Sequence, residues 1–165
     1  MSTFDELRKQ TACFTGHRQI PFLKRHRIKS DLRKTVIQCI GQGYRYFGAG
    51  GALGFDTVAA RTMLELKKTY PEIKLILVLP CPSQASKWDK ADIAEYERIK
   101  QSADKVVYTS QEFNRGCMHK RNRHLVDNSS LCIAYLTETT GGTAYTVEYA
   151  KSNGIRLINI ADCIH

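Results

Sequence analysis

The sequence predicts an α/β protein whose doubly wound, mostly parallel sheet of about six strands has helices on both faces. Three observations favour this class. Short apolar runs alternate with stretches of helical periodicity along the whole chain, which is typical of repeated β-α units. The run KLILVLP at residues 74–80 is continuously apolar after its lysine, as in strands covered on both faces. Glycines also follow several apolar runs, and such glycines are typical where a strand leads into a ligand-binding loop.

The first two predicted strands enclose a long helix. ACFTG at residues 12–16 is the first strand, and YRYFGAG at residues 44–50 is the second. Between them we expect a helix over residues 25–42, because four apolar residues recur there at helical spacing, namely Ile28, Leu32, Val36 and Ile40.

The rest of the chain continues the alternation. A helix is expected over residues 56–69, and the strand at 74–80 follows it, ended by Pro80 and Pro82. The remaining elements are predicted as helices at 89–103, 118–128 and 143–152 and strands at 105–109, 131–136 and 155–160.

Composition predicts one cytoplasmic domain over residues 1–165. The length suffices for one domain with a substantial core and is short for two. Hydrophobic residues make up 42% of the chain, yet no apolar run approaches the roughly 18 residues of a membrane span. No basic and apolar leader precedes the first strand. We therefore expect no membrane partner and no secretion.

Six cysteines are scattered without a CxxC motif, which predicts reduced thiols in a cytosolic protein. Cys117, His119 and His124 could suggest a metal site, but no second ligand pair accompanies them. We predict no metal and no resident cofactor.

The formal net charge of +9 is unevenly distributed. Basic residues are concentrated in the first fifth of the chain, and a second cluster occupies residues 115–124. Anionic partners are one explanation, and solvated helix faces are the other.

The residues that follow the strands are the candidate binding residues, because ligands of such sheets bind beyond the carboxyl ends of strands. Gly16, His17 and Arg18 follow the first strand. Glycine admits a ligand to the backbone, and arginine offers a planar fork to phosphate. A plain turn with a surface arginine is the alternative.

The loop after the second strand is rich in glycine. It matches neither the dinucleotide fingerprint nor a Walker loop. It does lead into a helix start, where free amides favour an anion. We predict ligand contacts from Gly50, Gly51, Gly54 and Asp56, with Asp56 also capping the helix; tight-turn packing is the alternative.

A third glycine loop follows the fifth strand. Gly141, Gly142 and Thr143 open a predicted helix and are candidate phosphate ligands. Glu148 follows within two turns. A carboxylate near phosphate suits a ribose hydroxyl or acid–base chemistry, and an exposed helix glutamate is the alternative.

Two segments resemble known families. GCMHKRNRHLVDNSSLCIAYLTETTGGTAYTVEYA resembles the paired motif of LOG-type nucleoside-monophosphate phosphoribohydrolases, and GAGGALGFDTVAA is similar to a segment of the DprA/Smf DNA-processing proteins. Both belong to the SLOG superfamily of Rossmann-like domains. Over nearly the whole chain the resemblance is greatest to the small, single-domain YpsA-like branch.

The resemblance implies a Rossmann-like fold and gives roles to two residues. Arg121 and Glu148 match the pair that LOG enzymes use for N-glycosidic cleavage, whereas Ala144 and Tyr145 replace a glycine and a threonine of that motif. These replacements favour binding over catalysis. SLOG-like domains often pair through helix faces, so a homodimer is expected.

Three functional hypotheses follow. The first is binding of a nucleotide or nucleotide-derived ligand, such as AMP, ADP-ribose or NAD, for sensing or regulation. The second is phosphoribohydrolase activity by Arg121 and Glu148. The third is single-stranded DNA binding, which the charge favours but for which the basic segments lack interleaved aromatic residues.

Overall fold

The computed structural model describes residues 3–163 and confirms the predicted fold class. Six strands form one sheet, and each neighbouring pair is parallel. The order across the sheet is β4-β3-β2-β1-β5-β6. The strands are β1 Thr11–Gly16, β2 Tyr46–Ala49, β3 Lys74–Leu79, β4 Lys105–Tyr108, β5 Leu131–Tyr135 and β6 Arg156–Asn159.

The helices between the strands lie where the periodicity predicts them. They are α2 Arg25–Gly41, α3 Phe55–Lys67, α4 Lys90–Ser102, α5 Cys117–Asp127 and α6 Gly142–Ser152, with 3-10 turns at Phe22–Lys24 and Ile160–Cys163.

A short helix, α1 Phe4–Lys9, precedes the first strand and was not predicted. None of its residues is buried, and a capping box between Thr3 and Glu6 stabilises its N-terminus. Polar end contacts therefore stabilise this helix, and a search for apolar periodicity does not detect it.

Each face of the sheet has its own apolar layer. The side chains of β1 alternate, so that Phe14 joins the larger core cluster and Cys13 the smaller one. The larger cluster includes residues of α2, α3 and α4, whereas the smaller one includes Leu125 of α5 and Ala150 of α6. Three helices therefore cover one face and two cover the other.

The strand order reverses at β1. From β1 the chain builds outward through β2, β3 and β4, then crosses to β5 on the other side of β1. Gly16 at the end of β1 pairs in register with Tyr135 at the end of β5. The carboxyl ends of β1 and β5 therefore meet at the switch point, where ligands of such sheets bind.

Among residues 3–163, no helix has both the length and the apolar character needed to cross a membrane. The five cysteines whose side chains are described are buried and unpaired.

Candidate ligand-binding site

A cavity of about 330 Å³ opens at the switch point, between the loop after β1 and the loop after β5. The predicted residue His17 lies on its wall, whereas Glu138 on the opposite loop was not predicted. The complete lining is His17, Gln19, Pro21, Lys24, Tyr135, Thr137 and Glu138.

His17 joins the two loops of this cavity. Its Nε2 accepts a hydrogen bond of 2.9 Å from the backbone N–H of Thr137, and its ring meets Tyr135 edge to face at 5.7 Å between centroids. Burial lowers the pKa of His17, and the nearby Glu138 opposes this shift only in part. The lowered pKa favours a neutral ring, and the accepting Nε2 assigns the single ring proton to Nδ1.

Arg121 extends from α5 to the loop after β2, where only 4% of its surface is exposed. Its Nη1 donates to the carbonyl oxygen of Gly50, and its Nε donates to Asn122 Oδ1 at 2.8 Å. Within residues 3–163 no carboxylate lies within 4 Å of the guanidinium. Burial lowers its pKa. The side chain is thus a buried cation without a contacting counter-ion.

Asp56 lies beside the same loop and is only 7% exposed. Its Oδ2 accepts from the N–H of Ala52 at 3.2 Å. Burial raises the pKa of Asp56 to about 6, against the opposing influence of Arg121, the Ala52 hydrogen bond and Arg18. Gly54 is the residue that precedes α3, and no side chain caps this helix. The predicted capping by Asp56 is therefore wrong, because its carboxylate binds the preceding loop instead.

Gly50 and Gly51 face the protein's own side chains. A β-carbon on Gly50 would lie 2.6 Å from Arg121 Nη1, and one on Gly51 would lie 2.5 Å from Leu79 Cδ2. Internal packing, the alternative left open by the sequence, accounts for both glycines. Their contact with a ligand stays a prediction.

Gly16 and Gly54 are also closely packed. A β-carbon on Gly16 would overlap the ring of Phe55, and one on Gly54 would overlap the carbonyl of Arg18. These glycines bring the loop after β1 onto the start of α3, where Phe55 N–H donates to the His17 carbonyl at 3.0 Å. The side chain of Arg18 itself is exposed.

The start of α6 is different, because its glycines face open space. Gly141 has a φ of 102° and no side chain caps the helix. A β-carbon on Gly141 or Gly142 would meet no atom within 4 Å. Thr143 is buried against the sheet. Neither packing nor a positive φ requires glycine at position 142.

Glu148 lies on the outer side of α6. The buried residues Thr146, Val147 and Ala150 mark the inner side of this helix, and Glu148 is exposed. Its carboxylate makes no hydrogen bond or ion pair within the described part of the chain. The fold does not place Glu148 in contact with Arg121, and the catalytic pair stays a prediction.

Sequence reasoning missed a surface that we call the α5–α6 face, formed by His119, Arg123, Asp127, Tyr145 and Tyr149. The ring centroids of His119 and Tyr145 lie 4.1 Å apart. Tyr145 stacks on Tyr149 with 6.5 Å between ring centroids and 13° between ring planes. Arg123 Nη1 donates to the Tyr145 hydroxyl at 3.0 Å, and the Tyr149 hydroxyl donates to Asp127 at 2.7 Å. Four-residue spacing in both helices is the signal that could have indicated it.

The described residues contain no group of three histidine, cysteine or acidic side chains arranged to hold a metal ion.

Comparisons with known proteins agree with the architecture. The model of the YspA SLOG family, YpsA, matches residues 13–160. The chain is 30% identical over 139 residues to a UPF0398 protein of Halalkalibacterium halodurans, covering 82% of this chain and 71% of that one. It is 29% identical over 138 residues to the uncharacterized SPbeta prophage-derived protein YoqJ of Bacillus subtilis, covering 76% of this chain and 81% of that one.

Solved structures of DNA processing protein A have a similar fold. The Helicobacter pylori protein aligns with a TM-score of 0.64 at 17% identity over 93% of this chain. The Streptococcus pneumoniae protein aligns with a TM-score of 0.65 at 16% identity over 92% of this chain. This chain spans only 65% and 50% of those two chains.

Proposed function

The chain belongs to the YspA SLOG family, and from that premise we propose that it binds a nucleotide or nucleotide-derived ligand at the carboxyl ends of β1, β2 and β5. The observation that carries this proposal is the buried guanidinium of Arg121, which has no carboxylate within 4 Å among residues 3–163.

A phosphate would balance the second of two neighbouring cations, because the Asp56 carboxylate is the opposite charge for Arg121 and Arg18 adds a further positive charge. Burying a cation without a contacting anion is costly, and arginine binds phosphate oxygens through paired N–H groups. The exposed Arg18 lies close enough to lower the pKa of Arg121, and Asp56 offsets only one of these two charges. The region around the Gly50 carbonyl is therefore electropositive.

The cavity at the switch point suits the uncharged part of such a ligand. Glu138 lines it and can accept hydrogen bonds from ribose hydroxyls, the role that the sequence suggested for Glu148. Lys24 lines the same cavity and offers a further cation. The open backbone at Gly142 provides amides at the start of α6 for a phosphate group.

Calorimetric titration with AMP, ADP-ribose and NAD tests this proposal. We expect Arg18→Ala to weaken binding by about tenfold to a hundredfold, since a charge-assisted hydrogen bond contributes about 1.5–3 kcal/mol. Arg33→Ala removes the same charge from an exposed site on α2 and should leave affinity unchanged. Absence of binding at millimolar concentrations of all three ligands would contradict the proposal.

Hydrolysis of a nucleoside monophosphate is tested separately from binding, with the same purified protein. If Glu148 activates water, Glu148→Gln should abolish base release from AMP, measured by chromatography, and leave AMP binding intact. Unchanged base release would remove Glu148 from that role. Asp56→Asn tests a second residue, the buried Asp56 carboxyl beside Arg121. The pKa of Asp56 is about 6, which suits proton transfer near neutral pH.

Single-stranded nucleic acid binding is the second candidate function, and the α5–α6 face favours it. Stacked tyrosines beside an arginine and a histidine are the combination that binds unpaired bases and phosphates. A cavity of about 410 Å³ adjoins this face, because Arg123 and Asp127 line it together with Lys120 and Tyr108. DNA processing protein A of Helicobacter pylori, which shares the fold, binds single-stranded DNA.

Fluorescence anisotropy with a labelled oligothymidine tests this second candidate. Tyr145→Ala should cost about 1–3 kcal/mol of binding, the contribution of one stacked base. Phe22→Ala is the control and should have no effect, because Phe22 is exposed on the turn before α2, and α2 packs on the opposite face of the sheet. Arg123→Ala should reduce the slope of affinity against salt by about one. Affinity that does not fall between about 50 mM and about 200 mM salt would exclude an electrostatic mode.

A further inference from the structure

Two large apolar side chains project from the turn between β1 and α2. Phe22 is 81% exposed and Leu23 is 92% exposed, more than any other large hydrophobic residue described. They are consecutive and lie on the 3-10 turn Phe22–Lys24, none of whose residues is buried. Isolated exposed apolar residues are common on protein surfaces, but an adjacent pair with this exposure indicates an interaction site. We call this pair the Phe22–Leu23 tip.

Positive charge surrounds the tip. Lys24 and Arg25 follow it directly and are exposed, and neither forms an ion pair within residues 3–163. The first turn of α2 contains no acidic residue, so the positive end of the helix dipole is not offset there.

An adjacent cavity of about 420 Å³ continues the basic surface. Arg25, Lys29 and Arg61 of α2 and α3 line it, together with His26 and one acidic residue, Asp92. Lys29 and Arg61 have acidic partners, Glu65 at 3.3 Å and Glu95 at 2.9 Å. Arg25 therefore remains available to an external anion.

The sequence predicts no membrane partner, because it has no apolar run long enough to span a bilayer; for peripheral contact we propose instead that the Phe22–Leu23 tip and its basic surroundings dock the protein on an anionic phospholipid surface. The apolar side chains enter the boundary between headgroups and acyl chains, and the cations contact lipid phosphates. Apolar insertion combined with attraction to anionic lipid is the established physical basis of peripheral membrane binding. A protein partner would cover the tip with a concave apolar surface, and the cores of such interfaces are depleted of charge.

The two features of the tip, apolar side chains and unpaired cations, define the lipid composition that it would bind. Anionic headgroups attract the unpaired cations, and acyl chains accept the two apolar side chains. A soluble nucleotide satisfies only the first requirement. Docking therefore needs an assembled bilayer that contains anionic lipid. Lys24 also lines the cavity of the proposed nucleotide site, whereas Phe22 and Leu23 do not, so F22S/L23S tests docking separately from nucleotide binding.

Vesicle co-sedimentation tests the proposal. The full chain is mixed with vesicles of phosphatidylcholine alone or of phosphatidylcholine with phosphatidylglycerol. We expect binding to the second kind only, weakened about tenfold or more in the double variant F22S/L23S and in K24A/R25A. Both pairs are exposed, so these changes should leave folding intact. The matched controls are F4S on α1 and R33A/K34A on the exposed side of α2, which should bind as the wild type does.

Four results would overturn the proposal. The first is no binding to anionic vesicles, and the second is equal binding by F22S/L23S and the wild type. The third is a wild-type dimer that F22S/L23S converts to a monomer without any vesicle binding, because the tip would then bind a second copy of the chain. The fourth is competition by soluble glycerol phosphate for wild-type binding to vesicles, together with vesicle binding by F22S/L23S that equals that of the wild type. This combination would show that the protein recognises only the phosphate.

Discussion

At the scale of single residues, Gly54 shows why a glycine is needed inside the protein. It has a φ of 77°, and a β-carbon there would overlap the carbonyl of Arg18. The loop after β1 thus lies directly on the start of α3. Arg18 reaches the electropositive region because this close backbone contact holds it there.

Gly54→Ala should lower the free energy of unfolding by about 2–4 kcal/mol, because it adds both strain at a positive φ and a backbone clash. Gly142→Ala is the matched control, since open space surrounds that position, and its effect should stay within about 0.5 kcal/mol. Urea denaturation measures both values. Equal stability of the two variants would contradict this explanation of Gly54.

Asp56 predicts a pH dependence of stability. Its pKa of about 6 in the folded protein exceeds the ordinary value, so the folded state binds the proton more tightly than the unfolded state. Protonation of Asp56 therefore stabilises the folded state. This stabilisation is fully present at pH values below the ordinary pKa and is lost as pH rises through about 6. The loss amounts to about 3 kcal/mol.

Asp56→Asn removes this titration. The unfolding free energy of the variant should rise relative to that of the wild type by about 2 kcal/mol between about pH 4 and about pH 8, because part of the effect lies below about pH 4. Urea denaturation at both pH values measures the change. A difference between the two proteins that does not vary with pH would show that Asp56 is not the titrating group.

At the scale of elements, His17 connects the loop after β1 to the loop after β5. Its Nε2 accepts the N–H of Thr137 only while the ring is neutral. The lowered pKa of His17 means that this contact is present above the ordinary histidine pKa and is lost as pH falls through the lowered value. The two walls of the cavity are therefore connected at neutral pH.

His17→Phe should release the loop after β5. Phenylalanine keeps a ring against Tyr135 but has no acceptor for the Thr137 N–H. We expect faster hydrogen exchange at the Thr137 amide, measured by NMR, with little change in the midpoint of thermal unfolding. His26→Phe, at an exposed position on α2, is the control. Unchanged exchange at Thr137 in His17→Phe would show that the loop is held by other contacts.

At the scale of the whole molecule, one continuous sheet and its two apolar layers predict a single cooperative unfolding transition. Trp88 is the only tryptophan, and its ring meets Tyr96 at 5.3 Å at the edge of the larger core. Its fluorescence should therefore change at the same urea concentration as far-UV circular dichroism. Separate midpoints would contradict the prediction that residues 1–165 form one domain.

The expected homodimer also belongs to this scale and stays a prediction. Light scattering of the purified chain measures its mass directly. Variants on the α5–α6 face would then distinguish a dimer surface from a nucleic acid surface, since a dimer contact would change the mass and a nucleic acid contact would not.

The sequence by itself determined the fold class, the position of each strand and of five helices, and the loops that border the candidate site. These features depend on local patterns, such as the apolar run of β3, the helical spacing within α2 and the glycines after β2. The strand at residues 44–50 shortens to Tyr46–Ala49 in the fold, because strand ends depend on pairing with neighbouring strands.

Only the tertiary structure decided which of these residues meet. Arg121 contacts the Gly50 carbonyl across 71 residues of sequence, and His17 contacts the Thr137 amide across 120. The basic segment at residues 115–124 has no interleaved aromatic residues, and the fold places Tyr145 and Tyr149 of α6 beside it. Such contacts depend on the strand order β4-β3-β2-β1-β5-β6, which is set by packing helices against both faces of one sheet rather than by any local pattern.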